Sequence, residues 1–119
     1  AVVVSTPQDL AILDARKKIS FSRDSNVPII GVIENMSTMS CPHCDKDIDV
    51  FKKGGGQKLA EELVLPYLGS IPLDGEIVAN SDSGQPVVLS RPDSVAAKAF
   101  MKLAENCHKF LNPEEAFKK

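Results

Sequence analysis

The chain has 119 residues, and 34 of them are Val, Ile, Leu or Phe, enough apolar side chain for one compact domain and too much for a chain disordered over most of its length. Formal net charge is −2 and the 14 basic residues are scattered, which argues against nucleic-acid partners held by phosphate neutralisation. Apolar runs reach only four or five residues, far short of the roughly 20 that cross a bilayer, and no charged start leads into an apolar block, so a cytoplasmic domain without a membrane partner is expected.

In chain order, Ala1-Val2-Val3-Val4 is apolar on both faces and predicts a strand buried in a parallel sheet. Thr6-Pro7-Gln8-Asp9 predicts a helix start, with Thr6 as N-cap, Pro7 in the first turn and Asp9 favouring the positive helix end. That helix runs to about Arg23 and offers Leu10, Ile12, Leu13, Ala15 and Ile19 as one broad apolar face. Val27 to Ile33 predicts a second buried strand, with Pro28 tolerable at its start. The segment 34–56 is polar, ends in glycines and reads as an irregular excursion. Gln57 to Val64 predicts a short helix, Tyr67 to Ile71 a third strand, and Asp74 to Ser81 one or two helical turns. A last helix from about Asp93 to Leu111, capped by Ser90 or Asp93, carries Ala96, Phe100, Leu103, Cys107 and Phe110 as one buried stripe. A charged tail over 113–119 is expected to fray. Alternating strands and helices predict an α/β fold, a parallel sheet with helices on both faces.

Three cysteines in a chain without an export signal do not suggest a disulfide framework. Cys41 and Cys44 in Cys41-Pro42-His43-Cys44 stand at a spacing that turns both sulfurs toward one metal atom or cluster, which gives half of a four-sulfur site. Completion requires a second copy of the chain, or His43, Cys107 or His108. Cys107 falls on the buried stripe of the last helix, where packing explains it, and His108 points off that stripe toward water. Two thiolates alone do not separate an iron–sulfur cluster from a structural zinc ion shared across a dimer, because both take tetrahedral sulfur ligands. A dithiol oxidoreductase would want the pair at a helix N-terminus, and these cysteines lie in a polar loop.

Gly54-Gly55-Gly56-Gln57-Lys58 lacks the Gly-Lys-Ser/Thr ending of a phosphate loop and reads as a flexible approach to the next helix. Asp45, Asp47 and Asp49 alternate like calcium ligands, but the glycine and closing glutamate that a calcium loop needs are replaced by Val50 and Gly56. Asn35 closes the second strand and Pro72-Leu73-Asp74 follows the third. Ligands of open parallel sheets sit at strand carboxyl ends, so both places suit a nucleotide base, and an asparagine there also serves as an ordinary turn residue.

Thr6-Pro7-Gln8-Asp9, the run Gly31-Val32-Ile33-Glu34-Asn35-Met36-Ser37 leading into Cys41-Pro42-His43-Cys44, and Leu68-Gly69-Ser70-Ile71-Pro72-Leu73-Asp74 together resemble the Mrp/ApbC/Nbp family of MinD-like P-loop ATPases, carriers or scaffolds of iron–sulfur clusters. The resemblance covers nearly the whole chain, and the run from Glu-Asn-Met-Ser to Cys-x-x-Cys is its specific part. It implies that Cys41 and Cys44 hold a [4Fe-4S] cluster bridged between two protomers, of a homodimer or a paralogue heterodimer, for delivery to apo iron–sulfur client proteins. It implies that Asn35 reads adenine and that Pro72, Leu73 and Asp74 line the base of ATP, bound with Mg2+ in the full-length protein. Val78 stands where the family pattern has an arginine. The phosphate loop of the family is not in these residues, so residues 1–112 are expected to be the C-terminal portion of such a domain, inactive alone as an ATPase.

Overall fold

The computed structural model describes residues 1–113, so the expected tail falls outside the described residues from position 114 onward. The elements are β1 (Val2–Ser5), α1 (Asp9–Asp24), β2 (Gly31–Glu34), β3 (Met39–Ser40), β4 (Asp47–Ile48), α2 (Gly55–Glu62), β5 (Tyr67–Ser70), α3 (Gly75–Asp82), α4 (Val87–Ser90) and α5 (Val95–Leu111). Three strands form a sheet in the order β1-β2-β5, parallel throughout. Val2 to Ser5 of β1 run beside Gly31 to Glu34 of β2, and the β2–β5 ladder shifts register between Val32 and Ile33.

Both faces of this sheet are covered, as the apolar strands require. On one face Val3 and Val32 pack with Ala15 and Ile19 of α1 and with Leu59 and Ala60 of α2. On the other, Ile33, Leu68 and Ile71 pack against Leu103 of α5, with Phe100 and Cys107 alongside. Cys107 is thus a core residue of the last helix, as its place on the stripe predicts.

Local differences from the sequence reading have identifiable causes. The apolar face of α1 is narrower than expected: Ala15 and Ile19 are buried with Ile12 partly covered, whereas Leu10 is 80% and Phe21 72% exposed and Leu13 also faces out. At 3.6 residues per turn, positions 12, 15 and 19 share one stripe and positions 10, 13 and 21 lie opposite it. Likewise Phe110 lies beyond the end of the sheet face and is exposed. Thr6 does not cap α1. Gln8 holds the N-cap position without a side-chain cap, and the Thr6 hydroxyl donates to Gln8 Oε1 at 3.2 Å. The cap of α5 is Ser94, whose Oγ accepts from the Ala97 N–H at 3.1 Å, rather than Ser90 or Asp93. The second strand is Gly31 to Glu34 rather than Val27 to Ile33: these four residues pair with β1, and Val32 to Glu34 pair with β5 as well.

Candidate metal and nucleotide site

Asn35, Cys41, Cys44 and Pro72-Leu73-Asp74 lie in the segments that leave the carboxyl ends of β2 and β5. The chain leaves β2 with the Asn35 N–H donating to the Ser5 carbonyl at 2.8 Å. It then continues beside the segment after β5: Ser37 N–H donates to Ile71 O at 3.1 Å, and Leu73 N–H to Thr38 O at 2.8 Å. Asn35 and Pro72-Leu73-Asp74 therefore stand on neighbouring segments at the carboxyl edge of the sheet, the edge at which ligands of open parallel sheets bind. Asn35 is half-buried and its Oδ1 accepts from the Met36 N–H at 3.0 Å. Asp74 is the N-cap of α3, its Oδ1 accepting from the Glu76 N–H at 2.9 Å. Its carboxylate thus has a structural task whatever else it meets. Val78 is exposed on α3.

The excursion 34–56 is more ordered than its composition suggests. β3 and β4 pair antiparallel, Met39 with Ile48 and Ser40 with Asp47, and form a hairpin whose tip is the cysteine segment. The Cys41 N–H donates to Lys46 O and the Asp45 N–H to Cys41 O, each at 2.9 Å. Asp45 takes φ 56°, which lets the chain turn back after Cys44. The turn gathers donors on one sulfur: the backbone N–H groups of His43 and Cys44 and the Cys44 thiol all bond toward Cys41, and together they hold its thiol below the ordinary cysteine range. Cys44 is exposed and Cys41 partly so, while the His43 side chain is exposed.

Among the described residues, no group of three or more His, Cys, Asp or Glu side chains converges on a point that could hold a metal ion. Cys107 is on the sheet's far face, and His108 is beside Asn112, with 3.2 Å between its Nδ1 and Asn112 Nδ2. The chain therefore offers two cysteines on one hairpin turn and, among the described residues, no third ligand beside them. Asp45, Asp47 and Asp49 do not gather either: all three are exposed, and Asp47 accepts from Ser40 Oγ within the hairpin at 3.4 Å.

Two features escape a reading of local sequence. Between the hairpin and the 72–76 segment lies a cleft of about 490 Å³, walled by Met39 and Pro42 on one side and by Arg91 and Ser94 on the other, with Arg91 paired to Glu76. The second is Glu34, 1% exposed in a strand whose four residues are all buried. Its Oε1 accepts from the Gly54 N–H at 3.2 Å and its Oε2 from the Gly56 N–H at 2.7 Å. The glycines are therefore not a flexible approach. Gly54 takes φ 84° as N-cap of α2, and a Cβ on Gly55 would stand 2.7 Å from Pro7 O. A carboxylate at the end of an otherwise apolar strand, followed by a glycine triplet rich in open N–H groups, is the signal that could have found this pair.

Comparison with known proteins fits this arrangement. The chain is 50% identical over 105 residues to the iron–sulfur cluster carrier protein of Pyrococcus furiosus, covering 88% of this chain and 35% of that one. It is 47% identical over 104 residues to the mouse iron–sulfur cluster transfer protein NUBPL, covering 87% and 33%. The chain thus spans about a third of the length of these curated relatives. Among solved structures, an ADP-bound nucleotide-binding protein from Archaeoglobus fulgidus superposes with a TM-score of 0.62 at 32% identity, over 71% of this chain and 35% of that one. The cell-division ATPase MinD of Pyrococcus furiosus gives 0.69 at 28%, over 92% and 42%. The description of ParA-type, NUBPL iron-transfer P-loop NTPases matches residues 1–108. The chain, with its MinD-like α/β sheet and its cysteine hairpin, belongs to that family of iron-transfer P-loop NTPases.

Proposed function

We propose that this chain is the cluster-bearing portion of an ATP-dependent iron–sulfur cluster carrier, with Cys41 and Cys44 as its ligands. The observation that carries the reading is the hairpin tip: two cysteines on one turn, the thiol of Cys41 held below the ordinary range, and no third ligand among the described residues. Thiolates, rather than thiols, bind iron, and the donors that lower the Cys41 thiol below the ordinary cysteine range favour its ligand form. Two thiolates complete a four-sulfur set for [4Fe-4S] only when a second protomer, identical or paralogous, presents the same pair across a two-fold axis. The cluster is cargo. An exposed pair is open to thiols of an apo client protein, which replace Cys41 and Cys44 by ligand exchange.

The carrier names of the relatives support this reading, and the ADP complex of the structural neighbour supports a nucleotide ligand. Asn35 is proposed to hydrogen-bond the adenine edge, with Pro72, Leu73 and Asp74 flanking the base. The 119 residues contain no Gly-x-x-x-x-Gly-Lys-Ser/Thr segment, so the grip on the phosphates and Mg2+ is assigned to other residues of a longer polypeptide, of which residues 1–112 form the C-terminal part of the NTPase domain in a cytoplasmic setting.

Anaerobic reconstitution with iron and sulfide, followed by absorbance and metal analysis, tests the ligand assignment. The parent is expected to bind iron and sulfide, and the Cys41→Ser, Cys44→Ser variant to bind neither. Equal loading of the two, or zinc in place of iron in parent protein prepared without added zinc, overturns it.

A further inference from the structure

The cysteine excursion leaves the sheet at Glu34 and rejoins the body at Gly54, and a single side chain spans that neck. Glu34 is the last residue of β2, and its carboxylate accepts from Gly54 and Gly56, which lie 20 and 22 residues further along the chain. Both acceptor oxygens are used and the side chain is sealed from water, with Gly56 buried and Gly54 partly buried. The partners are the first amides of α2, where the helix dipole favours a negative charge. Approach is close on the glycine side: a Cβ on Gly56 would stand 3.0 Å from Glu34 Cβ and 3.3 Å from Oε2. The returning strand is tied a second time, outside the neck, by Lys52 Nζ to Asp9 Oδ2 at 2.6 Å.

We propose that Glu34 is a positioning residue for the cysteine pair: by clamping the two ends of the excursion together, it fixes where the β3–β4 hairpin presents Cys41 and Cys44 at the sheet edge. The reason is geometric. A hairpin of two-residue strands is marginal alone, so its placement depends on how firmly its two stems are held. On one stem the backbone is tied by Ser37 to Ile71 and Thr38 to Leu73. On the other, the Glu34 carboxylate supplies the buried hydrogen bonds, and without them the return stem keeps the packing of Gly55 on Pro7 and an exposed ion pair, which restrains weakly. The cluster-holding part of this inference rests on the function proposed above, whereas the clamp itself does not.

The test is amide hydrogen exchange on the full chain without cluster, together with cluster release to a chelator from the reconstituted protein. Glu34→Gln keeps the shape but loses the charge and one of the two acceptors. Leu59→Ala, which loosens the same helix α2 from the sheet without touching the neck, controls for general loss of stability. In Glu34→Gln, exchange at the hairpin amides of Cys41 and Asp45 is expected to quicken by about tenfold, as loss of a buried charge-assisted bond implies, with cluster release quickening in step. Leu59→Ala is expected to alter hairpin exchange much less at equal or greater loss of stability. Hairpin exchange and release changing no more in Glu34→Gln than in Leu59→Ala overturns the proposal. In the parent, Gly54 and Gly56 amides exchanging as fast as exposed ones overturn it too, a readout that holds even when Glu34→Gln does not fold. A parent that takes up no cluster refutes the carrier function, while exchange in the cluster-free protein still decides the clamp.

Discussion

At the scale of single residues, the functional chemistry is concentrated in a few backbone amides aimed at anions. The N–H groups of His43 and Cys44 face the Cys41 sulfur, and those of Gly54 and Gly56 face the Glu34 carboxylate. The second arrangement leaves no room for a side chain on Gly56. Gly56→Ala is expected to destabilise the fold by about 1–3 kcal/mol, because the new methyl meets Glu34 at overpacked distance; a urea midpoint equal to the parent's would contradict this. Ser94→Ala removes the only side-chain acceptor at the start of α5 and is expected to cost about 1 kcal/mol in the same assay. Cys-x-x-Cys, Asn35 and Asp74 are legible from sequence because their meaning is set by neighbours one to three residues away. Glu34 is not, since its partners lie some twenty residues on.

Between elements, the weight of the fold rests on α1 and α2 packed against one sheet face. Leu59 is fully buried there beside Ile19 and Val32. Leu59→Ala is expected to cost about 2–5 kcal/mol of unfolding free energy, depending on how far the site collapses. The rim of this interface carries the Arg16–Glu62 pair, and the Arg16 hydrogen bond holds the Glu62 carboxyl below its ordinary value. A carboxyl lowered in the folded state stabilises the fold above its unfolded value, and that contribution is lost as pH falls through the lowered folded value. The stability difference between the parent and Glu62→Gln is therefore expected to be constant near neutrality and to shrink on acidification. Both partners are solvent-exposed, so the difference is small and screened by salt. A difference that grows toward acid pH would reverse the sign and refute the pairing. Element types were readable from apolar runs and helical spacing, whereas the two-residue strands β3 and β4 were not, because so short a pair has no periodicity to show.

Across the whole molecule, two thiolates per chain set a stoichiometry. Reconstituted protein is expected to hold one cluster per two chains and to sediment as a dimer, returning toward monomer when the cluster is chelated. A loaded monomer with one cluster per chain would exclude the bridged arrangement. The alternation of buried strands with helices, the placement of Asn35 and Pro72-Leu73-Asp74 after strand ends, and the presence of two cysteines on one loop were all determined by the sequence itself, since each follows from local pattern or from simple inventory. Tertiary structure alone decided which stripe of α1 turns inward, leaving Leu10 and Phe21 exposed, and that the cysteine loop is a paired hairpin facing a cleft. It also decided that a buried carboxylate closes the neck of that loop onto the amides of Gly54 and Gly56, with Gly55 and Gly56 closely packed. These depend on groups distant in the chain meeting at fixed distance, and no local propensity encodes such a meeting.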